Sequence, residues 1–313
     1  MREFLIILSV AVFFIILALI LAFCAFCAAF LSGRKNLTDL YFGLRGDDVS
    51  PRKKLSRSLI DELVKYEYED VYITAFDGKR LFGRYYHVAD GAPLQIHFHG
   101  YRGMAQRDFA GGALECFKRK HNLLLVDQRA HGKSEGRVIT FGIKERFDCL
   151  FWAEYAERRF GKDTKILLYG ISMGAATVLM ASSLPMPSGV VGILADCPYS
   201  SPVDIICHVA ANGKIPKFIS RFAVTLGARV FGGFNINAAS CVEAVKNTKI
   251  PIILIHGEAD DFVPCDMSRK ISQAGNNIRF ITFKDAKHGV SYLVDREKYM
   301  NEVNGFLREV LSE

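Results

Sequence analysis

The pentapeptide G-I-S-M-G at residues 170–174 constrains the fold of this chain more than any other feature. It follows a short apolar run at residues 165–169, typical of a buried parallel strand, and precedes residues 175–181, which are typical of a packed helix. A sharp turn between strand and helix holds the Ser172 side chain at its tip in a strained backbone conformation. Residues larger than glycine at 170 or 174 would collide with the neighbouring strand or helix. The pattern therefore predicts an α/β fold with a serine hydroxyl at such a turn.

The first thirty residues form a different kind of segment. Residues 4–31 contain no charged side chain, and as a helix they would be about 42 Å long, longer than the roughly 30 Å hydrocarbon core of a bilayer. A cleaved signal peptide normally has an apolar part of only about 7 to 15 residues. Phe23 and Phe26 stand where a lipoprotein site at Cys24 or Cys27 needs a small residue. We therefore expect one tilted, uncleaved membrane-spanning helix.

Charge and cysteine usage indicate the side of the membrane. Positive residues follow the apolar span at Arg34, Lys35, Arg45 and residues 52–57, whereas Arg2, offset by Glu3, precedes it. This asymmetry favours a cytoplasmic catalytic domain. The basic segment is interpreted as a strip for anionic lipid or as a solvated linker, and the net charge of +7, scattered among acids, predicts no nucleic-acid partner. Eight cysteines without a disulfide framework predict free thiols in a reducing compartment.

The chain divides into an anchor at residues 1–33, a polar connector at 34–69 with a helix around 59–66, and a catalytic domain at 70–313. Within the domain, Asp77-Gly78 predicts the turn of an antiparallel hairpin. Short apolar strands then alternate with helical segments, which predicts a mostly parallel, eight-stranded sheet flanked by helices. The predicted strands are residues 71–76, 80–86, 94–98, 123–127, 166–169, 190–195, 252–256 and 278–283.

A long insertion separates two of the predicted strands. Residues 198–248 exceed an ordinary crossover, and helical periodicity at 202–211 and 218–231 predicts a small helical cap over the carboxyl edge of the sheet. Phenylalanines in the cap are interpreted as an apolar roof over a substrate or as core contacts between cap and sheet. They are Phe218, Phe222, Phe231 and Phe234.

A serine hydroxyl needs a general base and an acid that orients the base. Asp260 follows the strand 252–256 and His288 follows the next strand, so both are expected in loops at the carboxyl edge that carries Ser172. Rival acids are Asp261 beside Asp260 and Asp196 at the end of an earlier strand. A further carboxylate near the histidine, Asp285, is expected to face water.

Four motifs together resemble the α/β-hydrolase superfamily, in particular the membrane-anchored Bem46-like and prolyl-aminopeptidase-related serine hydrolases. They are H-G-Y-R-G at 99–103, D-Q-R-A-H-G-K-S at 127–134, the pentapeptide at 170–174, and the loops that carry Asp260 and His288. The resemblance covers residues 71–313. It implies that Ser172, Asp260 and His288 form a catalytic triad, and that the backbone N–H groups of Tyr101 and Met173 form the oxyanion hole.

Other polar residues are given structural roles. His97 and His99 share one face of a strand, but no third ligand with suitable spacing accompanies them, so no metal and no cofactor is predicted. His256 is expected to support the acid loop. Arg129 and His131 are expected to hold their loop by hydrogen bonds, and a substrate-facing role for them stays open.

The resemblance implies a membrane-anchored serine hydrolase that cleaves a small-molecule or lipid carboxylic ester through an acyl-enzyme. A serine peptidase of the same fold is the alternative. A peptidase that acts on free amino termini needs an acidic group in the cap, where only Asp204 and Glu243 are available, and this scarcity favours esters. A catalytically silent, membrane-tethered binding protein is the third interpretation. The sequence leaves the oligomeric state open.

Overall fold

The computed structural model describes residues 1–32 and 51–312. The helices are α1 (Arg2–Phe30), α2 (Pro51–Leu63), α3 (Ala105–Asp108), α4 (Ala110–Lys118), α5 (Glu145–Phe160), α6 (Met173–Ala181), α7 (Pro202–Asn212), α8 (Lys217–Val230), α9 (Cys241–Ala244), α10 (Cys265–Ala274), α11 (Ser291–Val294) and α12 (Arg296–Leu311). The strands are β1 (Glu69–Thr74), β2 (Arg80–Tyr86), β3 (Leu94–Phe98), β4 (Asn122–Asp127), β5 (Ile166–Ile171), β6 (Val190–Asp196), β7 (Ile252–Gly257) and β8 (Ile278–Phe283).

All eight strands form one sheet in the order β1-β2-β4-β3-β5-β6-β7-β8. The pairs β1–β2 and β2–β4 are antiparallel, and every other pair is parallel. The predicted fold is thus confirmed, with a mixed sheet whose two antiparallel pairs lie at the β1 edge. Helices pack on both faces of the sheet, and a cluster of buried apolar side chains lies between the sheet and the helices on each face. Since the six strands β3 to β8 run the same way, their carboxyl ends meet at one edge, where the loops bearing the candidate site residues lie.

The connector helix differs from its prediction. It begins at Pro51, a residue favoured at the first helical position, and ends at Leu63, whereas residues 59–66 were expected to be helical. The basic residues Arg34, Lys35 and Arg45 lie outside the described residues. All eight cysteines are free thiols in the structure.

The cap segment follows β6 and precedes β7 in the chain. It contains α7 and α8, which pack on each other. Its phenylalanines do not share one environment. Phe234 is 6% exposed, but Phe218 is 75% exposed and Phe222 is 54% exposed. The interpretation as core contacts is therefore wrong for these two residues, because their side chains point out of the domain.

The apolar helix α1 is long and apolar enough to cross a membrane. Its residues 2–17 are exposed on every side, whereas Ala22, Phe26 and Phe30 near its end are buried against the domain. A Cβ added to Gly227 of α8 would lie 2.5 Å from the carbonyl oxygen of Ala22, so glycine permits the close approach of the two helices. The last turns of α1 are therefore part of the domain's packing, which the sequence did not predict.

Candidate active site

Ser172 lies at the tip of the turn between β5 and α6, with a φ of 55° that only a constrained backbone maintains in a residue other than glycine. Gly170 and Gly174 make this turn possible. A Cβ on Gly170 would lie 2.3 Å from the carbonyl carbon of Gly174, and a Cβ on Gly174 would lie 1.7 Å from the carbonyl oxygen of Phe98. The expected steric reason for both glycines is thus confirmed.

The structure brings Ser172, His288 and Asp260 together. Ser172 Oγ lies 2.9 Å from His288 Nε2, and His288 Nδ1 lies 2.7 Å from Asp260 Oδ2. When Nδ1–H donates to the carboxylate, Nε2 is left to accept the hydrogen bond of the serine hydroxyl. Groups in this arrangement can act as a nucleophile, a general base and a carboxylate that orients the base.

The environment of Asp260 keeps its carboxylate charged. Oδ1 accepts hydrogen bonds from the N–H groups of Phe262 at 3.0 Å and Val263 at 2.8 Å, and His256 Nε2 lies 3.2 Å from Oδ2. Burial acts to raise the pKa of this carboxyl, but the hydrogen bonds from His256 and His288 outweigh it and hold the pKa well below its usual range. His256 supports the acid loop as expected, since its Nε2 is also 2.8 Å from the carbonyl oxygen of Val263.

The rival acids occupy other environments. Asp261 is exposed, and its carboxylate lies 3.6 Å from Lys287 Nζ. Asp196 is buried and accepts a hydrogen bond from the Tyr299 hydroxyl at 2.9 Å. Burial raises the pKa of Asp196 to about 6, although the Tyr299 hydrogen bond acts in the opposite direction. Asp285 is exposed, as expected.

The two residues with implied oxyanion-hole N–H groups, Tyr101 and Met173, lie close to Ser172. Met173 is the first residue of α6, where N–H groups lack intrahelical acceptors and attract negative charge. Tyr101 follows Gly100, whose added Cβ would lie 3.5 Å from Ser172 Cβ. Within residues 1–32 and 51–312, neither N–H has a hydrogen-bond acceptor. An oxyanion hole requires N–H groups without an internal acceptor, so both residues remain candidates for that role.

Two side chains shape the loop bearing Tyr101: Asp108, which the sequence did not single out, and His131, which was expected to bond within its own loop. Asp108 Oδ2 accepts a hydrogen bond from Gly100 N–H at 3.1 Å, and His131 Nε2 accepts one from Arg102 N–H at 3.1 Å. Arg102 has a φ of 50°, so these bonds hold a strained segment. No sequence motif marked Asp108, because its role depends on the contact with Gly100 across a turn of the loop.

The remaining histidines and Arg129 have internal partners. His97 Nε2 lies 3.0 Å from Gln95 Oε1, and His99 Nε2 accepts a hydrogen bond from Gln128 N–H at 3.1 Å. Arg129 forms two hydrogen bonds to the Asp148 carboxylate, at 2.6 and 2.5 Å. Arg129 is only 2% exposed, so it ties the loop to the fold and does not face the site.

Cys197 was not predicted beside the site. One ligand atom each from Cys197, Asp260 and His288 lies within 4.8 Å of the other two. Burial raises the pKa of the Cys197 thiol well above its usual range. The hydrogen bond between His288 and Asp260 would also have to break before a metal bound there. This group therefore fits the relay geometry better than a metal site.

Ser172 and His288 open into a cavity of about 480 Å³. Apolar side chains form much of its wall, including Phe109, Ile171 and Leu293. The Phe262 ring packs against the imidazole of His288, with ring centroids 5.1 Å apart. A cavity of this size holds a small organic molecule, and its apolar wall suits a hydrocarbon group.

Comparison with known proteins finds one family pattern and several relatives that are similar to parts of this chain. The sequence pattern of the prolyl oligopeptidase family matches residues 232–313, which include Asp260 and His288. YqkD of Bacillus subtilis is 24% identical over 189 residues, 59% of this chain and 62% of YqkD. Protein bem46 of Schizosaccharomyces pombe is 26% identical over 176 residues, 56% of this chain and 54% of bem46. The matches thus span less than two thirds of these two relatives.

Among solved structures, the Pyrococcus furiosus esterase Pf2001 superposes with a TM-score of 0.62 at 24% sequence identity. The superposition covers 80% of this chain and 95% of the esterase. At this level of identity the likeness concerns the arrangement of strands and helices.

Proposed function

We propose that this chain, a member of the α/β-hydrolase superfamily similar to Bem46-like proteins, is a membrane-anchored serine hydrolase that favours carboxylic esters. The observation that carries the proposal is the chain of contacts from Ser172 Oγ through His288 to Asp260. A hydrolase of this superfamily needs these three groups within hydrogen-bonding distance of one another.

In the proposed reaction, His288 Nε2 takes the hydroxyl proton as Ser172 Oγ attacks the carbonyl carbon of the ester. The N–H groups of Tyr101 and Met173 stabilise the oxyanion, and each such donor contributes about 10²- to 10³-fold in rate. The protonated His288 then donates its proton to the leaving alcohol, and an acyl group remains on Ser172. Water activated by His288 releases the acid in the second half of the cycle.

The carboxylates around the cavity favour an ester over a substrate with a free amino terminus. Asp108 accepts the Gly100 N–H, Glu115 forms ion pairs with Lys118 and Arg296, and Asp196 accepts the Tyr299 hydroxyl. All three acids thus have donors within the protein, so a substrate ammonium group would compete with existing bonds. The acids of the cap segment are also engaged, since Asp204 accepts the Ser200 hydroxyl and Glu243 pairs with Lys246.

The proposal includes retention of α1 as an anchor. Residues 2–21 precede the part of α1 that packs on the domain, and a helix of that length spans about 30 Å, the thickness of a hydrocarbon core. Cleavage as a signal peptide would remove Ala22, Phe26 and Phe30 from the core. The positive charges that follow α1 in sequence favour a cytoplasmic site.

A fluorophosphonate probe tests the nucleophile in the full-length protein. We expect labelling of the wild type, none of Ser172→Ala, and unchanged labelling of Ser183→Ala, an exposed serine whose hydroxyl donates to Met180 O. Failure to label the wild type, or labelling that persists in Ser172→Ala, would favour a catalytically silent binding protein.

A second experiment distinguishes esters from amides. The protein is assayed with p-nitrophenyl esters of increasing chain length and with aminoacyl anilides. Turnover of the esters is expected. Selective turnover of the anilides would instead favour a serine peptidase, the alternative that the match to the prolyl oligopeptidase family supports.

A further inference from the structure

Helix α8 is apolar on two opposite sides. Its buried side packs on the domain through Ala223, Val224 and Ala228. On its other side, Phe218 and Phe222 are 75% and 54% exposed. Ile219 of the same helix is also exposed, as are Ile215 just before the helix and Val230 at its end, and we call these five exposed side chains together the outer face of α8. An apolar helix side of this extent, with aromatic residues in water, indicates contact with another apolar phase.

The charges around the outer face have one sign. No acidic residue occurs from Ile205 to Val242, whereas this stretch contains four exposed cations, Lys214, Lys217, Arg221 and Arg229. Among residues 1–32 and 51–312, none of the four forms an ion pair. A helix that combines exposed aromatic residues with Lys and Arg is typical of peptides that lie in the headgroup region of an anionic bilayer.

Helix α8 contacts α1 at the place where α1 leaves the domain. The Phe231 ring, directly after α8, lies 5.2 Å from the Phe23 ring and 6.1 Å from the Phe26 ring of α1, centroid to centroid. Gly227 of α8 contacts Ala22, which directly follows the exposed part of α1. Because α8 is in contact with α1 at this level, a bilayer spanned by residues 2–21 would have its surface next to α8.

We propose that the outer face of α8 inserts into the interface of the same anionic bilayer that α1 spans, so that the cap is a second membrane-binding element. This inference rests on the proposed retention of α1 as an anchor. Phe218 and Phe222 would enter the boundary between headgroups and acyl chains, and the neighbouring cations would contact lipid phosphates. The cap would then be held at the membrane surface by its own side chains.

The test measures depth in the membrane and does not depend on hydrolysis. An environment-sensitive fluorescent amino acid replaces Phe218 in the full-length protein, which is reconstituted in phosphatidylcholine nanodiscs with or without phosphatidylglycerol. The same amino acid at Phe13 in α1 reports on the anchor. At Tyr66, which is 43% exposed and packs on Phe117 beside the amino end of β4, it serves as the aqueous control.

In the anionic nanodiscs we expect a blue-shifted probe at Phe218 that spin-labelled lipids quench, as at Phe13, whereas iodide quenches the probe at Tyr66. Replacing Lys217 and Arg221 by Gln should lower the inserted-to-free ratio of the cap about five-fold for each charge removed. Iodide quenching at Phe218 equal to that at Tyr66, with lipid quenching at Phe13, would overturn the inference and leave the anchor intact. Iodide quenching at Phe13 as well would overturn the anchor itself.

Discussion

The hydroxyl of Tyr101 donates a hydrogen bond to the carbonyl oxygen of Ala29 at 2.8 Å. Tyr101 therefore belongs to two parts of the molecule, because its backbone N–H is a proposed oxyanion donor and its side chain holds the last turn of α1. Arg102 strengthens the connection, with Nη2 2.9 Å from the carbonyl oxygens of both Ala28 and Leu31. The final carbonyls of a helix lack intrahelical partners, so these two side chains complete the end of α1.

This connection predicts that Tyr101→Phe lowers catalysis while the fold stays intact. The variant keeps the ring contact with Phe141 and loses a bond worth about 0.5–1.5 kcal/mol, so kcat should fall no more than about ten-fold. KM should change less than kcat, because the proposed donor acts on the transition state. Tyr72→Phe, at an exposed tyrosine of β1, is the control, and equal kcat values for the two variants would contradict the connection.

The same substitution, Asp to Asn, is predicted to have effects of very different size at the two buried acids Asp260 and Asp196. Asp260→Asn removes the charge that stabilises protonated His288 and should lower kcat by about 10⁴-fold. Asp196→Asn still accepts the Tyr299 hydroxyl, so its loss should stay below about ten-fold. Fluorophosphonate labelling rates provide the comparison, and the reverse order would identify Asp196 as the working acid.

The raised pKa of Asp196 predicts a pH dependence of stability. This pKa is about 6 in the folded chain and about 3.9 in an unfolded one, so between these values the folded state retains a proton that the unfolded state has lost. Stability from this group is therefore greatest below pH 4, falls as the pH rises to about 6, and is then constant, a loss of about 3 kcal/mol.

Asp196→Asn lacks this loss, so its thermal unfolding midpoint should rise relative to the wild type as the pH increases from about 4 to about 7. Both proteins are measured in the same detergent, so that contributions from other titrating groups cancel. A midpoint difference that is the same at both ends of this pH range would show that Asp196 titrates normally.

The turn at Ser172 predicts that Gly174→Ala is strongly destabilising. The new Cβ would overlap the Phe98 carbonyl oxygen, and overpacking of this kind costs about 3 kcal/mol or more. In the control Gly112→Ala in α4, the nearest atom to the new Cβ is 3.6 Å away, so a gain of about 0.5–1 kcal/mol is expected. Thermal unfolding of both variants checks the contrast, and similar midpoints would refute the steric argument.

Local sequence patterns were sufficient for most of the fold. The turn at Ser172 depends on a strand, two glycines and a helix that are adjacent in the chain, so it was identified from the sequence. The cap helix predicted at 218–231 is Lys217–Val230 in the structure, because periodic apolar residues mark a helix wherever it packs. The connector helix was placed too late, since its start depends on Pro51 and its apolar pattern is weak.

The candidate site was only partly determined by the sequence. Asp260 and Asp196 both follow buried strands, and a family motif favoured Asp260. The structure places the Asp260 carboxylate 2.7 Å from His288 and directs the Asp196 carboxylate to Tyr299. Side-chain direction at a strand end depends on how two distant loops meet, which no local pattern encodes.

Neighbouring residues alone were enough to predict an apolar helix over residues 4–31, observed as Arg2–Phe30, and a strand-to-helix turn that carries Ser172. The folded structure was needed to see that the end of this helix packs on α8 and bonds to Tyr101. It was also needed to see that Phe218 is exposed. These features depend on contacts between segments far apart in the chain. Such contacts are selected by shape and by hydrogen-bond partners that exist only once the chain has folded.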